Sequence, residues 1–380
     1  MRVNASSREL VNLLVDLDER FSPSVLENAR SVVDAHGFAL ENVERPGERY
    51  LSWIDLVFGG TWSGEVARGS AVVATNARDG SPVGFAAFGA RDLRYFWLRA
   101  WEGRDDVAIL GPSGVAPQHR TEDLQRALLR AALVALRERG FRHALVPAVT
   151  EPILDFYRDA TGGSVVERFS MDRIAPNIPT VVLASGGGTN FQAVVDALGD
   201  GLGLDLRALV SNRADAFALE RARRAGIPAL VHVWDRASTS RERYDAEFVE
   251  LVAAQRPELV LMLGWMHLVS AEFLARFPTC INIHPAFLPH DDRADAVVMP
   301  DGVTIPAFRG AHAIRDAIAA RSPWYGATAH LVVHETDRGP VLQRAPRRLT
   351  DTDETQALAT LRATEHAVLV GAIRRFLAER

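Results

Sequence analysis

The sequence predicts two α/β domains joined near residue 175, an α+β first half (1–175) and a doubly wound second half (176–380) around a mainly parallel sheet. Three observations lead there. A chain of 380 residues corresponds to about 2.5 domains by the usual length prior, in practice two medium-sized ones. The stretch MDRIAPNIP at 171–179 sets two prolines and an asparagine between halves of different pattern. Beyond it, short apolar strands alternate with helices, the mark of a parallel sheet with crossover helices.

In the first half, a helix is expected over Ser24–His36 and a second near Tyr50–Gly59. Strand-like runs Ser70–Ala77 and Pro82–Gly89 flank the turn residues Asp79 and Gly80. A β-rich run, Val107–Pro112, precedes a strongly periodic helix, Glu122–Arg139, whose Leu124, Leu128, Ala131, Ala132 and Ala135 share one face. A strand (Phe141–Val149), a helix (Glu151–Asp159) and a last strand (Ser164–Phe169) close this half. In the second half, strands are expected at Thr180–Ser185, Asp205–Ser211, Ala229–His232, Leu259–Gly264, Cys280–His284, Ala327–His334 and Val341–Pro346. Helices at Asp215–Ala225, Arg241–Ala254 and about Asp353–Glu379 fill the gaps, and the strand order is not readable from this pattern.

Composition removes several chemistries. The chain has no lysine, so Schiff-base and pyridoxal-phosphate mechanisms, a Walker-type phosphate loop and a lysine general base are excluded. A formal charge of −5 argues against a nucleic-acid-coating role. One cysteine, Cys280, excludes an internal disulfide framework and a Cys-rich zinc site, which suits a reducing cytoplasm. Acidic residues inside the first apolar run argue against a signal peptide or a membrane span there. The expectation is a cytoplasmic protein acting on a small molecule, with no nucleic-acid or membrane partner; a homodimer is left open.

Two features of the second half carry chemistry. The first strand runs into Ser185-Gly186-Gly187-Gly188-Thr189-Asn190 and a helix. Taken alone this is a common β–α turn, but outward N–H groups and the helix N-terminus suit an anion, and ligands lie at the carboxyl ends of strands in such sheets. The strand Ile281-Asn282-Ile283-His284 aims Asn282 and His284 to one face, where an amide donor and an imidazole can meet one carbonyl oxygen. Asp337 opens a turn in HETDRGP and, singly, reads as a turn residue.

Together these pieces resemble the folate-dependent formyltransferases of the glycinamide ribonucleotide (GAR) transformylase family. The resemblance runs nearly collinearly from about 179 to 380, through VVLASGGGTNFQAVVDAL, VSNRADAFALERARRAGIP, INIHPAFLP, PAFRGAHAIRDAI, GATAHLVVHETDRGPVL and ATEHAVLVGAIRRF. It implies 10-formyltetrahydrofolate as co-substrate and Asn282, His284 and Asp337 as the catalytic trio. Formyl transfer to an amine passes through a tetrahedral oxyanion, which needs fixed donors and a proton shuttle. On this reading Asn282 and a His284 imidazolium stabilise the oxyanion while Asp337 keeps His284 charged.

The resemblance also implies the ligand contacts. Gly187, Gly188, Thr189 and Asn190 match the phosphate loop, Arg241 matches an arginine reaching the same phosphate, and Arg362 stands where relatives often have lysine. Glu365 matches a carboxylate near the substrate amine, and His312 a histidine near the site. The pteridine pocket would be lined by Leu263, Gly264, Met266, His267, Leu268 and the segment 331–337 with Val333, His334 and Glu335. Three departures stand out. The loop is Gly-Gly-Gly-Thr instead of Gly-Asn-Gly-Ser, His267 replaces a family arginine, and HDDRADAVVMPDGVTI is inserted after Pro289 with a hairpin signal at Asp301-Gly302. His290, Asp291 and Asp292 in that insertion read as solvated loop residues, and no metal is expected.

In the first half, VAPQHR before the Glu122–Arg139 helix and DFYR at 155–158 are similar in order to GCN5-related N-acetyltransferases. Where that family has glycines to cradle coenzyme A, this turn has Asp123 and Gln125, and Glu122 with Asp123 oppose a pyrophosphate. Acetyl-CoA binding is therefore not expected, Tyr157 reads as a packing residue, and the domain reads as non-catalytic. The favoured activity is formylation of a primary amine on a small substrate, GAR or a specialised-metabolism amine. The alternatives are a bifunctional acetyl and formyl transferase, a 10-formyltetrahydrofolate hydrolase, and a non-catalytic folate or acyl-CoA sensor.

Overall fold

A computed structural model describes residues 9–170 and 177–380. The described chain forms two units, residues 9–170 with 298–303 and 378–380, and residues 177–297 with 304–377. The tip of the inserted hairpin and the last three residues thus group with the first unit, where the sequence reading kept all residues after 175 in the second. The expected boundary at 175 itself lies outside the described residues.

The first unit contains β1 (Glu9–Asp16), α1 (Pro23–Ala35), β2 (Phe38–Val43), α2 (Glu48–Val57), α3 (Trp62–Val66), β3 (Ser70–Asn76), β4 (Pro82–Phe88), β5 (Val107–Val115), α4 (Glu122–Glu138), β6 (His143–Thr150), α5 (Glu151–Thr161) and β7 (Ser164–Ser170). Its seven-stranded sheet has the order β2-β3-β4-β5-β6-β1-β7. The β5–β6 pair is parallel and is joined only over Val107–Ile109 and His143–Leu145, whereas the other pairs are antiparallel. β1 and β2 are unanticipated: Asn12 and the acids of ELVNLLVD and FALENV break the apolar alternation. Asn12 is nevertheless fully buried, donating to Trp97 O at 2.7 Å and accepting from Ala148 N at 3.1 Å.

α4 forms as its pattern predicts. Thr121 caps it by accepting from Leu124 N at 3.2 Å, and Leu124, Leu128, Ala131, Ala132 and Ala135 are buried against the sheet. Each leucine removed from water there contributes about 1.5–3 kcal/mol. Glu122 and Asp123 place negative charge in the same first turn, which suits the helix dipole. Tyr157 is half-buried, its hydroxyl 2.9 Å from Ser113 Oγ, which accepts from Gln125 Nε2; desolvation of the hydroxyl raises the phenol pKa.

The second unit contains β8 (Ile178–Leu183), α6 (Thr189–Leu198), β9 (Leu204–Ser211), α7 (Phe217–Arg224), β10 (Ala229–Val231), α8 (Arg241–Ala253), β11 (Leu259–Met262), α9 (Ala271–Arg276), β12 (Cys280–His284), β13 (Ala296–Val298), β14 (Thr304–Pro306), α10 (Ala313–Ala319), β15 (Trp324–Leu331), β16 (Val341–Arg348) and α11 (Glu354–Ala378). The main sheet has the order β10-β9-β8-β11-β12-β15-β16, and β13 and β14 pair separately, as the insertion's hairpin signal predicts. β8 to β12 are parallel, while β15 and β16 run antiparallel to their neighbours.

Leaving β8, the chain winds outward through β9 and β10, then returns to β11 on the other side. The switch point is therefore the crevice at the carboxyl ends of β8 and β11, where a doubly wound sheet takes its ligand. Cys280 is buried at the start of β12, and burial pushes its thiol up to about 12. Among the described residues, no helix is long and apolar enough to cross a membrane, and no group of three or more His, Cys, Asp and Glu is arranged to hold a metal ion.

Candidate active site

The loop after β8 keeps the backbone of an anion cradle. Gly188 caps α6 at φ +69°, and a Cβ there would meet Ala218 Cβ at 2.7 Å and Cα at 2.8 Å, so only glycine fits. Gly186 O accepts from Ala218 N at 3.0 Å and Gly187 O from Arg221 Nε at 2.8 Å, which ties the loop to α7. The amides at the start of α6 carry about half a positive charge toward the crevice. Across it, Ser185 N donates to Gly264 O at 3.1 Å, and Ser185 Oγ accepts from Met266 N at 3.1 Å. The 263–268 loop therefore stands beside the phosphate-type loop, with Leu263 buried and Met266 and Leu268 61% and 72% exposed. His267 lies against Tyr244 and Trp265 at ring separations of 5.9 Å, and burial lowers its pKa, helped by Arg241.

Arg241, expected at the phosphate, is engaged with its own neighbourhood. Its Nε donates to both Asp245 oxygens at 2.9 and 2.8 Å, Nη2 donates to Leu268 O, and the guanidinium lies 5.3 Å from the Trp234 ring centre. Glu365 on α11 is buried, and burial pushes its carboxyl up to about 7, against the hydrogen bond from Asn190 and the charge of Arg362. Asn190 and Glu365, far apart in sequence, thus meet through this hydrogen bond, while Arg362 is exposed.

The trio gathers at the end of β12. The alternation of INIH holds, and the antiparallel neighbour β15 faces it in register, His330 opposite Asn282 and Thr328 opposite His284. His284 Nε2 donates to Phe308 O at 2.8 Å, and its Nδ1 lies 3.5 Å from Asp337 Oδ2. Asp337 sits at φ +54° and accepts from Gly310 N at 2.7 Å. Its other oxygen is 3.4 Å from His330 Nε2, which lies 3.2 Å from Asn282 Nδ2. The turn after β12 is held by Thr328, which accepts from Leu288 N at 3.0 Å and donates to Ala286 O at 2.7 Å, and by the fully buried Arg344, donating to Leu288 O at 2.6 Å.

The electrostatics revise one expectation. Burial raises the Asp337 carboxyl but is outweighed by the His330 hydrogen bond, the His284 charge and Gly310 N–H, which bring it down to about 2. For His284 the balance goes the other way: burial lowers its pKa more than Asp337 raises it. The sequence shows the carboxylate but not the depth at which the imidazole lies, and the His284 side chain is only 6% exposed. The imidazole is thus biased toward neutrality, with Nε2 bearing the hydrogen because Phe308 O can only accept.

His330 is absent from the sequence reading, although ATAHL alternates as INIH does; the missing information was that β15 pairs with β12. His312 is exposed at the start of α10, and Val333, His334 and Glu335 lie on the half-buried to exposed loop after β15.

A family model described as formyl transferase matches residues 179–299. Phosphoribosylglycinamide formyltransferase of Schizosaccharomyces pombe is 35% identical over 219 residues, which cover 52% of this chain and 97% of that protein. Its Escherichia coli counterpart is 34% identical over 191 residues, 50% of this chain and 82% of that protein. Among solved structures, glycinamide ribonucleotide transformylase 1 from Symbiobacterium toebii is 34% identical, with 53% of this chain and 88% of that chain covered at a TM-score of 0.46. With relatives of this identity matched over most of their length, the chain belongs to the formyl transferase family that includes the phosphoribosylglycinamide formyltransferases, and it is a folate-dependent formyltransferase.

Proposed function

We propose that the protein transfers the formyl group of 10-formyltetrahydrofolate to the primary amine of glycinamide ribonucleotide. The observation that carries the reading is the convergence of Asn282, His284, His330 and Asp337 at the end of β12, in the same unit as a glycine-capped anion loop and a buried carboxylate. The loop 187–190 takes the substrate phosphate and the 263–268 segment takes the pterin. Glu365, poised near neutrality, accepts the proton that leaves the substrate ammonium, so that a free amine attacks the formyl carbon.

Attack turns the formyl oxygen into an oxyanion, which the Asn282 amide stabilises by donation. The proton released from the amine passes to the neutral, buried His284, and Asp337 stabilises the imidazolium as it forms. The tetrahydrofolate nitrogen then leaves, taking that proton. No covalent enzyme intermediate is needed.

The test is to mix the chain with 10-formyltetrahydrofolate and follow tetrahydrofolate release with GAR against a panel of other primary amines. Release that depends on GAR supports the reading. Release with a different amine alone moves the substrate, release without any amine makes the protein a hydrolase, and none under any condition makes it a sensor. Asn282→Ala should cut turnover roughly 10²-fold, as loss of an oxyanion donor does; near-normal turnover sinks the assignment.

A further inference from the structure

The insertion after Pro289 does not hang free of the trio. Asp295, directly before its first strand, receives two arginines: Arg309 through Nη1 at 3.1 Å, and Arg338 through Nη2. These arginines bracket the catalytic carboxylate. Arg338 follows Asp337 directly in the chain, and Arg309 donates through Nε to Asp337 O at 3.2 Å. Both also hold the insertion's main chain, Arg309 through Ala294 O at 2.8 Å and Arg338 through Asp292 O at 2.7 Å. Ala307 N closes the base of the insertion onto Asp295 O at 2.9 Å.

The consequence falls on three successive residues. Phe308 O accepts from His284, the Arg309 side chain bonds Asp337 O, and Gly310 N bonds the Asp337 carboxylate. Segment 308–310 is therefore the rail on which the His284–Asp337 pair is spaced, and the insertion's Asp295 and carbonyls fasten that rail to the Asp337 loop. The need is physical. Asp337 sits at positive φ, which a non-glycine residue keeps only when its surroundings over-determine it. The Arg309 side chain is 13% exposed, so its fork is worth more than a surface pair, while Asp295 at 77% is the accessible end of the same clamp.

We propose that Asp295, Arg309 and Arg338 form a positioning clamp by which the inserted segment sets the His284–Asp337 geometry for formyl transfer, a proposal that rests on the reading of that pair as the reacting site. None of the three touches the reacting atoms, so they are positioning residues. Their loss loosens the Asp337 loop and slows the chemical step while leaving substrate affinity largely alone.

Two measurements on the full chain test this. In steady-state formyl transfer from 10-formyltetrahydrofolate to GAR, Arg309→Met should lower kcat about tenfold and Asp295→Ala about threefold, each with KM for the amine within about twofold. Asp295→Ala should add little in the Arg309→Met background, and Asp295→Glu should recover most of the loss. Hydrogen exchange of Asp295→Ala should show the amides of 308–310 and 335–339 exchanging at least about tenfold faster while β12 and β15 keep parental protection. Unchanged exchange at Gly310 overturns the clamp, and so does an unchanged kcat or a KM that rises in step with the lost rate. If the parent chain formylates no amine, the functional reading falls, and the exchange measurement still decides whether the clamp exists; Asp295 is exposed enough for its variants to fold.

Discussion

His330 Nε2 lies 3.2 Å from the amide nitrogen of Asn282, directly across the β12–β15 pairing. Its other nitrogen is 2.8 Å from Leu331 O, and because a carbonyl only accepts, Nδ1 carries the hydrogen. In the neutral ring Nε2 is then an acceptor and takes one hydrogen of the Asn282 amide, so the way the amide faces is set and its second hydrogen is left for the formyl oxygen. The same Nε2 lies 3.4 Å from Asp337 Oδ1, so His330 sits between the Asn282 amide and the carboxylate.

His330→Ala should therefore lower kcat by about tenfold, less than removal of Asn282 itself, because the amide remains but is free to rotate. KM for GAR should move little. His330→Asn, which restores a polar partner, should recover part of the rate, and steady-state kinetics of the two variants with the parent checks the order.

Glu365 predicts a pH dependence. Its folded-state pKa of about 7 exceeds its ordinary 4.5. A raised carboxyl favours the native state below the ordinary value, and that contribution is lost as pH rises from about 4.5 through 7, on the order of 3 kcal/mol in all. Thermal melting of Glu365→Gln across this window should show a shallower decline than the parent. As the acceptor of the amine's proton Glu365 must be ionised, so kcat/KM in the parent should rise through about pH 7, and Glu365→Gln should lose that limb together with most of its rate.

Asp337 carries the opposite sign. Its carboxyl is held at about 2, below the ordinary 3.8, so its contribution is complete above about pH 4 and is lost as pH falls toward 2. Acid titration followed by circular dichroism should show Asp337→Asn less stable than the parent at pH 6, with the difference shrinking below about pH 3.

Gly188→Ala tests the anion loop. The new methyl must displace Ala218 while the backbone stays at φ +69°, costing about 2–3 kcal/mol. The melting temperature should fall, and KM for the phosphorylated amine should rise more than KM for the folate.

Much of the second unit is legible in the sequence because its signals are local. The INIH alternation, the glycine cap of α6 and the hairpin at Asp301-Gly302 all depend on residues within a few positions of each other. What escapes is set by pairing and depth. His330 becomes part of the site only because β15 runs antiparallel beside β12, and the His284 pKa is lowered because burial outweighs Asp337. β1 of the first unit escapes for a related reason: Asn12, polar by type, is buried by its bonds to Trp97 and Ala148. Arg309 and Arg338, two arginines in a chain that uses no other strong base, carry no mark that separates them from a solvated surface.

The buried thiol at the foot of β12 has a practical corollary. Cys280 is shielded from solvent and scarcely ionises at neutral pH, so alkylating reagents find no competent sulfur in the native protein. A cysteine engineered at Leu268, 72% exposed on the loop proposed to take the pterin, would be the single reactive thiol. A fluorophore attached there would report folate arrival directly, without any background from the strand that bears Asn282 and His284.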